Sequence, residues 1–437
     1  MTTEKCDNNL IGCDECGLIV SVDTTILNFA QTAHCPRCGH VLTRTTSKPY
    51  QTAFALAISC LLLLVLSLSF PFMSFSAQGV TQEMSLFDAA KMLGEFQNVL
   101  LAVLLFTTVV LFPAFYISIL LFLFFKASQS TRRRLSIREI QFAKLLCKAL
   151  LKVQPWLMVD VFLIGVLVSL VKIASLADVT MGHSFWAFCF FSVLVVKTVS
   201  LVDRYWLWNH FIPVETPLWV HAGQTHCTLN SLTCKTCQQI NPFSPERKKQ
   251  TCLRCGSRLQ TYNPKMNLQR AWALLFAAVI FYVPANIYPM MYTVFLGESE
   301  GSTIMQGVIL LWQLGSYPIA MVIFFASICI PIAKMLALSW LYWQAGKLNK
   351  LSPNQQNLQR LKVYRVTEFI GRWSMIDVFV VAILVSLVQL HNLMAIYPGP
   401  AALFFASVVI LTMLSAMVFD SRILWQAPPV SSSTKMN

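Results

Sequence analysis

The chain is short of charge. Only 12% of its 437 residues are Asp, Glu, Lys or Arg, about half the share found in soluble domains. Catalytic signatures are missing too. No GxxxxGK[ST] loop is present, so the chain is not expected to hydrolyse nucleotide. Gly297-Glu-Ser-Glu-Gly301 lacks the lysine such a loop needs. No CxxCH haem motif occurs, no nucleophilic triad can be assembled, and no enzyme activity is expected. The first 50 residues hold no apolar run, so no cleavable signal peptide is expected.

Apolar residues are abundant. They make up 56% of the chain, and the mean hydropathy is +0.62. A net charge of +14 would suit a nucleic-acid binder. Here, however, the bases gather in loops between apolar runs, the pattern that sets membrane orientation. No nucleic-acid partner is expected. A bilayer crossing needs about 20 apolar residues. Eight such spans are expected, near 52–72, 98–125, 156–175, 185–202, 270–292, 317–343, 373–392 and 399–419. Segments 126–152, 203–270 and 344–372 are basic, whereas the loops at 73–97 and 290–303 are acidic. The positive-inside rule then puts both termini and the central segment in the cytoplasm. The Arg132–Arg134 cluster reads first as a topology signal and second as an anionic-lipid contact.

The sequence repeats at an offset near 217. Trp156-Leu-Met-Val-Asp160-Val-Phe162 matches Trp373-Ser-Met-Ile-Asp377-Val-Phe379, and Asp203 matches Asp420. Four spans per copy insert both copies in the same sense, a parallel repeat. The expected fold is therefore an all-α integral membrane protein. It has two tandem four-span modules, each preceded by a small zinc-ribbon-like domain. The expected boundaries are 1–50 (first ribbon), 51–209 (first module), 210–264 (second ribbon), 265–426 (second module) and 427–437 (disordered tail).

The ribbons rest on cysteine spacing. Cys13-x2-Cys16 is followed after 18 residues by Cys35-x2-Cys38, and Cys234-x2-Cys237 after 14 residues by Cys252-x2-Cys255. Two thiolates on one tight turn supply half a tetrahedron, and a second turn completes it. Gly39 and Gly256 follow their knuckles, where a left-handed residue is favoured. Zinc is expected, one ion per set, because segments this small bury too little apolar surface to fold alone. Tetrathiolate geometry also accommodates iron, so a redox or thiol-exchange role is the rival. Disulfides are not expected in a reducing cytoplasm.

Asp160 in the first module and Lys334 and Asp377 in the second fall inside spans, as do Lys172 and Lys197 of the first module, which read as snorkelling residues. A charge at a helix centre costs on the order of 2.5–3.5 kcal/mol on insertion scales. Lys334 and Asp377 are placed to pair in the cytoplasmic half and to line a polar path. The plainer alternative is that Lys334 snorkels and Asp377 answers the helix dipole. Pro331, one turn before Lys334, is expected to bend its helix. Ser85–Asp88 and Thr303–Gln306 resemble capping boxes of short outer helices, with Leu86, Ala90 and Leu93 at helical spacing behind the first.

The paired CxxC sets, the duplicated modules and Gly371-Arg-Trp-Ser-Met-Ile-Asp377-Val-Phe closely resemble the paraquat-inducible protein A family. Gly307-Val-Ile-Leu-Leu-Trp312 and Gly315-Ser-Tyr-Pro318 are similar to it as well. The resemblance runs from Cys13 to about Trp425. It implies a multi-pass protein of the bacterial inner membrane that works with a periplasmic MCE-domain protein forming a tunnel. It further implies movement of membrane phospholipids between the two membranes, in support of envelope integrity. A membrane redox protein, or a scaffold that only anchors the tunnel, are the alternatives.

Overall fold

The computed structural model describes residues 10–22, 31–44, 49–77, 80–88, 91, 99–130, 136–173, 178–214, 219–225, 231–242, 250–259, 264–295, 298–313, 315, 317–347, 354–387, 389–390 and 394–425. The Arg132–Arg134 cluster, Ala90, Leu93 and the 427–437 tail lie outside them.

Four short hairpins form the two ribbons. β1 (Leu10–Gly12) pairs with β2 (Ile19–Ser21), and β3 (Thr32–His34) with β4 (Val41–Arg44). In the first module, α1 (Pro49–Ser69) leads to the hairpin of β5 (Met73–Ala77) and β6 (Val80–Met84). Next come α2 (Val99–Phe106), α3 (Phe112–Ser130), α4 (Ile137–Val153) and α5 (Val159–Ile173). β7 (Asp178–Met181), α6 (His183–Leu201) and α7 (Arg204–Phe211) complete it. The second ribbon pairs β8 (Ser231–Thr233) with β9 (Ile240–Pro242), and β10 (Gln250–Thr251) with β11 (Arg258–Leu259). The second module repeats the first: α8 (Pro264–Ile287), β12 (Met291–Phe295), β13 (Glu298–Ser302), α9 (Ile304–Gln313), α10 (Tyr317–Phe324), α11 (Ile330–Gly346), α12 (Asn354–Trp373), α13 (Ile376–Leu387), β14 (Gln389–Leu390), β15 (Met394–Pro398) and α14 (Pro400–Val418).

Seven helices among the described residues are long and apolar enough to span a membrane. The seventh expected pass, at 373–392, falls short of them: it is α13, which is only 12 residues long. That is about 18 Å at 1.5 Å per residue, against a hydrocarbon core of about 30 Å. The shortness is tolerable because α13 does not meet lipid. It packs on its repeat-equivalent α5 at the centre of the molecule, and Val378–Val385 are all buried. Irregular backbone at membrane depth survives where protein covers it. The outer spans instead expose Leu62, Val65, Phe190, Val193, Phe276 and Leu336, the surface expected to face lipid.

Each module packs its first span on its last, α1 on α6 and α8 on α14. Ser415 ties the second pair: its Oγ donates to the Ala271 carbonyl at 2.8 Å and lies 2.9 Å from the Tyr342 hydroxyl. Such interhelical hydrogen bonds hold membrane helices where the hydrophobic effect cannot.

The sequence had suggested helices alone, but each module also carries a small sheet at its far end. β5 pairs with β6 and β7, and β12 with β13 and β15. The strand before the last span closes onto the hairpin after the first, and two glycines permit the junction. A Cβ on Gly182 would sit 2.1 Å from the Pro71 carbonyl oxygen, and one on Gly399 2.0 Å from that of Pro289.

At the two intramembrane prolines the backbone departs from regular α-helix. A five-residue π turn, Phe325–Cys329, precedes α11, and its counterpart Thr107–Leu111 precedes α3. Pro331 and Pro113 sit second in the helices that follow. Each lacks the N–H that would close the preceding turn, and the helix widens there. Both capping boxes form as well. Thr303 and Gln306 exchange backbone-to-side-chain bonds at 2.8 and 3.3 Å, and Ser85 and Asp88 at 3.1 and 3.2 Å.

Candidate functional site

Both four-cysteine sets assemble. Cys13 and Cys38 sulfurs lie 3.5 Å apart, as do Cys16 and Cys35; Cys234–Cys255 is 3.6 Å and Cys237–Cys252 is 3.5 Å. All four sulfurs of each set fall within 4.8 Å of one another, and every one of these cysteines is buried. A tetrahedral metal with bonds of about 2.3 Å separates its thiolates by about 3.8 Å, so the sets fit a metal ion. They are far too open for disulfides, whose sulfurs bond at about 2.05 Å.

Four equivalent turns shape the clusters. The N–H groups of Gly17, Gly39, Gln238 and Gly256 donate to the carbonyls of Cys13, Cys35, Cys234 and Cys252 at 2.8–2.9 Å. All four donors have positive φ, between 60° and 72°. Gln238 is the exception to glycine, and its side chain reaches Asp14 at 3.2 Å.

Each ribbon bridges both modules instead of resting only on the one that follows it. Glu15, between two first-ribbon cysteines, pairs with Arg365 of α12 in the second module. Arg365 also donates to the Cys38 carbonyl at 3.0 Å. Arg37 stacks on Trp425, 4.7 Å from its ring centroid. Reciprocally, Arg254 of the second ribbon donates to the Ile212 carbonyl, at the end of the first module, at 2.6 and 2.9 Å. Arg37 and Arg254 occupy the same knuckle position at the 217 offset. Asp203 and Asp420 complete the clamp. Asp203 accepts from Thr43 and from the Arg44 N–H, while Asp420 pairs with Lys235 at 3.0 Å.

The charges here respond to burial. Burial alone would raise the Glu15 carboxyl, but hydrogen bonds from His40 and Arg365 hold it at about 2. Asp420 is likewise pushed up by burial and pulled further down by Arg422 and Lys235. Asp203 lies above the usual carboxylate range because burial outweighs its hydrogen bonds. Arg254 is only 4% exposed. Arg254→Met should cost about 3 kcal/mol by stranding the Ile212 and Cys237 carbonyls it serves. Thermal unfolding in detergent measures this, and an unchanged midpoint would refute it.

The intramembrane residues divide. Lys334 and Asp160 both line a cavity of about 720 Å³ between the modules, bordered by α5, α6, α12 and α14. Arg365, Glu368 and Arg372 supply its other charges, and Val195, Val199 and Met413 part of its apolar wall. Lys334, 4% exposed, donates to Thr412 Oγ1 of the last span at 2.7 Å. Asp377 occupies the first turn of α13, as Asp160 does in α5. Two contributors escaped the sequence reading. Thr412 looked like one more residue of an apolar span. Gly371, noted only as part of a motif, is packed so close that its Cβ would meet Lys334 Nζ at 3.3 Å.

Comparison with known proteins agrees with this layout. The family described as "Paraquat-inducible protein A" matches residues 50–212 and again 268–428, one match per module. "Intermembrane transport protein PqiA" of Escherichia coli (strain K12) is 39% identical over 421 residues, covering 96% of each chain. A "Probable intermembrane transport protein" of Haemophilus influenzae is 28% identical over 95% of this chain and 96% of its own. "Lipophilic envelope-spanning tunnel protein A" of Escherichia coli (strain K12) is 26% identical over 95% of this chain and 91% of its own. No solved structure matches the chain. With both modules matched and nearly its whole length shared, the chain belongs to the paraquat-inducible protein A family.

Proposed function

We propose that the chain is the inner-membrane subunit of an intermembrane phospholipid transport system. It takes lipid into the inter-module cavity and exchanges it with a periplasmic MCE-domain tunnel, in support of envelope integrity. The observation that carries this reading is the cavity itself. It sits between two membrane modules, with Lys334, Arg372, Asp160 and Glu368 beside an apolar wall. Charged groups next to apolar surface match an amphiphile, and the names of the relatives point the same way. Binding sites commonly combine an apolar lining with a few placed polar groups.

Both termini and both ribbons face the cytoplasm in this reading, because the basic loops lie at the ribbon end. The four cysteines of each set hold one zinc ion, which organises the clamp and takes no part in transfer. The far-end sheets then face the periplasm and meet the tunnel. Lys334 holds the headgroup's negative charge, and Asp377 steadies the helix beside it.

A photo-crosslinking amino acid at position 413 tests the cavity. Met413 is 7% exposed and so is shielded from bulk lipid. Irradiation in native membranes should give a covalent phospholipid adduct that Lys334→Met diminishes several-fold. Adducts only to protein would end the proposal.

A further inference from the structure

A second opening lies beside the cavity. It is a cleft of about 590 Å³ at the ribbon end of the first module. Among the described residues its walls carry Lys148, Lys152, Arg204 and Lys235, and no carboxylate. Two of these cations are already matched: Arg204 by Asp14 at 2.9 Å and Lys235 by Asp420 at 3.0 Å. Lys148 and Lys152 lie one turn apart on α4, and no ion pair engages either among the described residues. The hydroxyls of Thr236 and Ser257 and the Gln154 amide add neutral hydrogen-bonding groups.

The position of the cleft is as telling as its charge. α4 ends there and passes through the turn Gln154–Trp156 into α5, while Val202 caps the end of α6. The cleft therefore opens where the ends of two membrane segments meet the second ribbon. Gln154 lines both this cleft and the inter-module cavity, so a basic mouth adjoins a largely apolar chamber.

We propose that the cleft binds the phosphate of an anionic phospholipid headgroup drawn from the leaflet on the ribbon side. Lys148 and Lys152 supply the two unmatched positive charges, and the neutral donors take the remaining phosphate oxygens. A headgroup with its own ammonium, such as choline or ethanolamine, would set a cation against these lysines. The site therefore selects glycerol-type anionic headgroups. The claim that the bound lipid next enters the cavity rests on the function proposed above; the binding itself does not.

The purified full-length chain in detergent tests this, with fluorescent phosphatidylglycerol and phosphatidylcholine as probes. Each cation near an anionic surface contributes about 1 kcal/mol, or about fivefold. Lys148→Gln with Lys152→Gln should therefore weaken phosphatidylglycerol binding about tenfold or more and leave phosphatidylcholine unchanged. Lys148→Arg with Lys152→Arg should retain binding. Unaltered phosphatidylglycerol affinity in the Gln pair overturns the proposal, as does equal loss in the Arg pair, which would mark a packing role. Inorganic phosphate at millimolar concentration should fail to displace the lipid; displacement would reassign the cleft to soluble phosphate. The two proposals fail separately. A lost Met413 adduct with normal cleft binding sinks only the cavity, and normal cleft binding in the Gln pair with adducts intact sinks only the cleft.

Discussion

Replacing Cys35 with serine should remove one metal ion per chain and unfold the first ribbon. The strands of that ribbon are three or four residues long, and hairpins of this size are marginal in water. Structural zinc supplies roughly 10–16 kcal/mol in comparable small domains, more than the rest of the ribbon can replace. The damage should not stay local. Glu15, Arg37 and Thr43 leave with the ribbon, and with them the contacts to Arg365, Trp425 and Asp203. Arg365 also lines the inter-module cavity, so loosening is expected there as well. Elemental analysis should fall from about two zinc per chain to about one, and limited proteolysis should cut within the first 44 residues. Cys252→Ser should do the same to the second ribbon. A fully retained metal content would refute the assignment, and a visible iron–thiolate absorption band would replace zinc with iron.

Gly399→Ala should be nearly as disruptive, although it adds a single methyl group. The added carbon would lie 2.0 Å from the Pro289 oxygen and 2.8 Å from its carbonyl carbon. Backbone cannot rotate aside as a side chain can. The end of α8 and the start of α14 would have to separate, breaking the bond from Gly399 N–H to the Met290 carbonyl at 2.8 Å. Overpacking of this kind costs about 3 kcal/mol. Gly182→Ala repeats the experiment in the first module, where the clash is 2.1 Å. Both variants should unfold several degrees lower in detergent. Gly307 provides the control: it sits in α9 with nothing within 4 Å, so Gly307→Ala should be neutral or mildly stabilising. Equal behaviour of the three variants would remove the close-approach argument.

Several features were legible because their cause is local. Apolar runs, knuckle spacing and capping boxes each involve residues a few positions apart, and the repeat is visible by direct comparison. The seventh span was misjudged in length for the same reason. Hydropathy sees the apolar string at 373–392 but not that α5 covers it, and cover is what allows a 12-residue helix to stand in the membrane. The far-end sheets stayed hidden because β5 and β7 lie about a hundred residues apart.

From sequence alone came the spans, the duplication and the two thiolate sets, since hydrophobicity and metal-ligand chemistry are written in short stretches of chain. Only the folded molecule shows that each ribbon bridges both modules, that Lys334 bonds Thr412, and that the modules border a cavity with a basic cleft beside it. Those features arise where distant segments meet, and the order of residues along a chain does not record which surfaces come together when membrane helices pack.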